Sequence, residues 1–105
     1  MNQELYTQIG AGLSESHVSS QGQMFGKPCL KIGKKAFALF YDDAMVFKLG
    51  KQEVDLYKAH YPSASNFDPS GKNRPMKDWL QLPGEFSKDW ETLAIEALEY
   101  VEKLG

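Results

Sequence analysis

The sequence predicts an α+β domain: a mainly antiparallel sheet with helices packed before and after it. Three observations predict it. Residues 24–49 concentrate strand-forming side chains around two tight-turn signals. Both ends of the chain carry apolar residues at helical spacing. Strands cluster rather than alternate singly with helices, which favours antiparallel pairing.

At the N-terminus, Leu5, Ile9 and Leu13 recur at i, i+4 and i+8, one face of a helix over 2–13 with Asn2 as its N-cap. Gly10 and Gly12 weaken its last turn by about 1 kcal/mol each relative to Ala, so the helix is expected to fray there. Residues 14–23 are polar and rich in Ser, and read as a loop.

The meander follows. Gly33-Lys34 is a Gly-X hairpin turn and Asp42-Asp43 a second turn. Two-residue turns at both places set Leu30 opposite Phe37, Leu39 opposite Val46 and Tyr41 opposite Ala44. One face would then hold Leu30, Ile32, Phe37, Leu39, Tyr41 and Val46. The other would hold Cys29, Ala36, Ala38, Phe40, Met45, Phe47 and Leu49. Both faces are largely apolar, so both need covers. Ala36 and Ala38 would let a helix approach. A face left bare is the expected place for a partner protein or a second copy in a homodimer.

Gly50 ends the last strand of the meander. Residues 51–60 read as a short helix with Val54, Tyr57 and Tyr61 on one side, stopped by Pro62. Residues 64–67 form a short strand, and Asp68-Pro69-Ser70-Gly71 a turn. The alternation across 76–82 suggests an edge strand closed by Pro83-Gly84. Over 86–104, Phe86, Trp90, Leu93, Ala94, Ala97, Leu98, Val101 and Leu104 form the clearest helical stripe, with Ser87 as a cap.

With 105 residues the chain is one domain, 1–105, long enough to bury a core. Its formal net charge of −2 excludes binding to polyanions by bulk charge. The single cysteine cannot form an internal disulfide, which fits a reducing cytoplasm. There is no signal-peptide pattern and no apolar run of membrane-spanning length. A soluble cytoplasmic protein is expected, with no membrane association.

Chemistry has few candidates. Cys29 with His17 or His60 is the one thiol–imidazole combination, and a strand cysteine is more often structural than nucleophilic. Two histidines and one cysteine at unhelpful spacing predict no metal site. No cofactor motif is present either: Gly71-Lys72 lacks the upstream glycine and following hydroxyl of a P-loop. The sharpest local feature is 70–79. Lys72, Arg74 and Lys77 could contact phosphate there, with Trp79 stacking on a base, which would make a nucleotide- or nucleic-acid-binding loop. The competing reading is a solvated hairpin with Trp79 in the core.

The ordered set Met24-Phe25-Gly26, Leu30-Lys31-Ile32, Lys35-Ala36-Phe37-Ala38, Asp42-Asp43, Met45-Val46-Phe47-Lys48-Leu49, Phe67-Asp68-Pro69-Ser70-Gly71 and Arg74-Pro75-Met76-Lys77-Asp78-Trp79 resembles the TfoX/Sxy family, N-terminal domain. The resemblance implies a secretion chaperone-like α+β topology and a bacterial regulatory module. It carries no catalytic residues. Family members that regulate competence add a C-terminal helical domain. This chain is expected to be a stand-alone N-terminal domain that acts by protein–protein interaction, and not an enzyme.

Overall fold

The computed structural model describes residues 2–16, 19–24, 26–69 and 75–104. The elements are α1 (Asn2–Ser16), β1 (Ser19–Met24), β2 (Lys27–Ile32), β3 (Lys35–Tyr41), β4 (Ala44–Lys48), α2 (Lys51–His60), β5 (Ser65–Phe67), β6 (Met76–Pro83), a 3-10 helix (Gly84–Asp89) and α3 (Trp90–Leu104). All strand pairs are antiparallel, and the sheet order is β1-β2-β3-β4-β6-β5. The fold is α+β, as the sequence predicts, with the helices packed on the sheet.

Both hairpin turns form as expected. Gly33 has φ 62°, and Asp42 and Asp43 both take left-handed values, 53° and 58°. Leu39 pairs with Val46 and Tyr41 with Ala44. Between β2 and β3 the expected register fails. Leu30 pairs with Ala38 and Lys31 with Ala36, so Phe37 is an extra residue in a bulge. A bulge turns two successive side chains to one side, and Phe37 and Ala38 both enter the helix-side core. Leu30 and Ile32 go with them, while Cys29 moves to the opposite face.

The helix-side core is made by Tyr6, Ile9 and Leu13 of α1, Val54 of α2 and the α3 stripe from Trp90 to Val101. They pack on Leu30, Phe37, Met45, Phe47, Leu80 and Leu82. α3 lies across β2, β3 and β4, α1 over β1, and α2 against β6. α1 does not stop at its glycines. A Cβ on Gly10 would meet Leu30 Cδ2 at 2.8 Å, so this glycine is where the helix touches β2. Ser14 Oγ donates to the Gly10 carbonyl at 3.0 Å and Ser16 Oγ to that of Gly12 at 2.8 Å. Packing outweighs helix propensity here.

Three further expectations are corrected. The polar stretch read as a loop contains β1, which pairs with β2 along its whole length. β6 is interior, flanked by β4 and β5, with Leu80 and Trp79 buried on opposite faces. Ser87 lies inside the 3-10 helix, and α3 begins at Trp90.

The second apolar face is not bare. Cys29, Leu39, Val46, Phe67 and Trp79 form a buried cluster there, edged by Met24, Ala36, Tyr41 and Met76. In a flat sheet β3 and β5 would lie roughly 14 Å apart. Yet the rings of Tyr41 and Phe67 meet edge to face with centroids 5.7 Å apart. The two side chains reach toward each other across β4 and β6. Lys27 Nζ sits 4.6 Å from the Tyr41 ring centre. Leu39, Val46, Phe67 and Trp79 of this face are thus almost fully buried within the chain itself.

Candidate functional site

The binding loop suggested by the sequence divides. Lys72 and Arg74 lie outside the described residues. Lys77 is exposed. Trp79 is only 4% exposed, with the Phe67 ring 6.4 Å away, centre to centre. Stacking on a base needs a free ring face, and this indole is part of the second-face core. The structure thus matches the alternative in which Trp79 packs inward.

Cys29 is 1% exposed on that same face. Burial pushes its thiol up from the usual range, against the smaller opposing effects of Lys31 and the Gly22 N–H. A nucleophilic cysteine needs the reverse shift. His17 is outside the described residues. The His60 ring packs edge-on against Tyr61, a helix-side core residue, and so belongs to a different cluster from Cys29. Among the described residues, no group of three or more His, Cys, Asp or Glu is placed to hold a metal ion.

A groove lies where α2 and α3 run beside the end of β4. Leu49 and Gly50 leave the sheet here, and the Leu49 and Gly50 N–H groups both donate to the Asp78 carbonyl, at 3.0 and 3.2 Å. Gly50 has φ 88°, a value open to glycine. A Cβ at Gly50 would lie 3.0 Å from two ring carbons and the hydroxyl oxygen of Tyr100. This close approach fixes Tyr100 at the base of a groove of about 240 Å³, lined by Leu49, Glu53, Glu96, Glu99, Tyr100 and Lys103.

Two tyrosine–carboxylate hydrogen bonds tie this region together, one of them at the groove's Glu96. Tyr57 Oη donates to Glu96 Oε2 at 2.5 Å, and Tyr61 Oη to Asp89 Oδ2 at 2.9 Å. The Tyr57 and Tyr61 rings stack at 6.1 Å. Burial raises both phenols above their ordinary range. The carboxylate that each one bonds, Glu96 or Asp89, raises it further. Both phenols therefore stay protonated and hold their carboxylates in place. Beyond the groove, the outer side of α2 carries Leu56, which is 65% exposed among Gln52, Glu53, Asp55 and Ala59. Lys51 on this side is paired with Asp55 at 3.0 Å.

Reading the sequence residue by residue misses this groove. A signal exists: Glu53/Tyr57 and Glu96/Tyr100 are both Glu–Tyr pairs at i, i+4. They become one site only when α2 and α3 are known to be neighbours. Chemically, the arrangement offers carboxylates beside an apolar floor, which suits a cationic side chain on an apolar segment. No helix of the described residues is long and apolar enough to cross a membrane. Comparison with protein-family models, curated proteins and solved structures returns no match to this chain.

Proposed function

We propose that this chain is a small non-enzymatic binding or regulatory module, of the TfoX N-terminal type that its sequence resembles, and that it acts by protein–protein contact in the cytoplasm. The observation that carries the reading is Leu56, a large apolar side chain left 65% exposed on α2 beside the acidic groove. Single exposed apolar residues are ordinary. Leu56 shares Glu53 with the groove, which has Leu49 and Tyr100 at its floor, carboxylates at Glu53, Glu96 and Glu99, and Lys103 beside them. The fitting partner is a helical or extended segment that presents an apolar residue flanked by lysine or arginine. The non-enzymatic part of the reading rests on the buried, protonated Cys29.

Affinity capture from native cytoplasm tests this, with nuclease-treated and untreated arms. The wild-type chain and the Leu56→Asp and Glu53→Gln/Glu99→Gln variants serve as baits. The wild type should retain a protein partner regardless of nuclease. Leu56→Asp should weaken retention by at least about tenfold, as truncating a central apolar anchor does. The double Gln variant should lose the salt dependence of binding. Equal capture by all three baits would reject the groove. Capture that disappears with nuclease would favour the nucleic-acid alternative, of which Lys77 is the exposed basic residue among those described.

A further inference from the structure

The two edges of the sheet are built differently. At one edge β5 is three residues long, and its pairing with β6 shifts between Asn66 and Phe67. The Asn66 amide donates to the Met76 and Lys77 carbonyls, both at 3.4 Å, and its oxygen accepts from Lys58 Nζ at 2.6 Å. Asp68 and Pro69 follow directly. Shortness, a bulge, a lysine and a proline are the usual means of blunting an edge.

β1 is longer, unbulged and free of proline, and the lysine near it is Lys31 of β2, whose side chain lies against Gly22. Its six residues pair with β2 in unbroken register, from Ser19 opposite Ile32 to Met24 opposite Lys27. The segment Ser-Ser-Gln-Gly-Gln-Met contains no charge and no proline. Ser20, Gln21 and Gln23 are exposed. An antiparallel strand with one neighbour turns alternate N–H and C=O groups outward. Ser14 Oγ donates to the Ser19 carbonyl at 3.3 Å, at the very start of the strand. The rest of β1 is a regular, uncharged template for another strand.

We infer that β1 pairs antiparallel with β1 of a second copy of this chain, joining two six-stranded sheets across a two-fold axis. The chemistry of the segment favours a copy of itself. Two-fold pairing sets each residue opposite another from the same six. With no charge among them, no register brings like charges together, and Ser and Gln can hydrogen-bond across the seam. An axis normal to the sheet keeps both helix layers on one side. The α2–α3 groove takes no part, so this inference and the partner reading stand or fall separately.

Sedimentation velocity of the full chain, from low to high micromolar, tests the inference. The native chain should double in mass as concentration rises. Ser20→Lys/Gln23→Lys and Ser20→Glu/Gln23→Glu should each stay monomeric with unchanged far-ultraviolet circular dichroism, and a mixture of the two should recover the dimer. A native chain that stays monomeric would overturn the proposal. So would a dimer that persists in both variants, or a mixture that fails to reassociate. Hydrogen exchange on the native chain gives a readout that needs no variant. Amides within 19–24 should gain protection as concentration rises, and constant exchange there would count equally against the pairing.

Discussion

Tyr6 is 4% exposed, and its hydroxyl has no hydrogen-bond partner among the described residues. The ring packs 5.5 Å from Phe40 in the helix-side core. Leaving a buried hydroxyl unpaired costs about 1–3 kcal/mol, whereas removing it can be neutral or favourable. Tyr6→Phe keeps the ring and deletes the cost. It should raise stability by about 1 kcal/mol in urea unfolding, with an unchanged slope against denaturant. A loss of stability would mean that the hydroxyl has a partner.

At the scale of elements, the junction from β4 into α2 depends on Gly50. Its φ of 88° with ψ near 153° is a conformation open essentially to glycine, and a Cβ would press on Tyr100 at 3.0 Å, tighter than ordinary contact. Gly50→Ala should therefore destabilise the fold by about 2 kcal/mol or more, by strain and by displacement of Tyr100. Thermal unfolding will measure it. Gly12→Ala is the control, since its Cβ would meet nothing and should stabilise α1.

The same junction shows what the sequence makes legible. α2 is read with its observed bounds because its signals are local: glycine before, proline after, apolar residues on one side. The two hairpin turns are legible for the same reason. β1 is not, because its polar residues become a strand only against β2. The Phe37 bulge is hidden too, since an inserted residue leaves no mark in a stretch whose two faces are both apolar. That single bulge moved Cys29 away from the helices and with it half of the expected face assignment. The groove needed the contact between α2 and α3, which no periodicity supplies.

At the scale of the whole molecule, the two cores share one sheet and should fail together. Tyr6, Tyr57 and Tyr61 on the helix side, and Cys29 on the other, all have protons held more tightly than in the unfolded chain, chiefly because of burial. Their contribution is complete below the ordinary thiol and phenol ranges, about 8.5 and 10. It is lost as pH climbs from there towards the folded-state values, because the unfolded chain then releases protons that the native one keeps. Stability should be flat with respect to these groups through neutral pH and fall steeply in alkali. The rise in phenolate absorbance should coincide with unfolding seen through the buried Trp79 and Trp90. Tyr57→Phe should make the fall shallower. Phenolate appearing while the tryptophans remain buried would show that the phenols ionise in the native state.

The bulged, proline-flanked end at β5 has a consequence for what kind of object this molecule can build. A sheet open at both ends can add copies indefinitely and grow into a filament. Under the proposed β1 pairing, one end would accept a copy and the other is blunted. Once two copies have joined, each presents only its blunt side to the outside. On the proposed pairing growth would stop at two, the count being set by three residues and one asparagine side chain at the far end of the sheet from the seam.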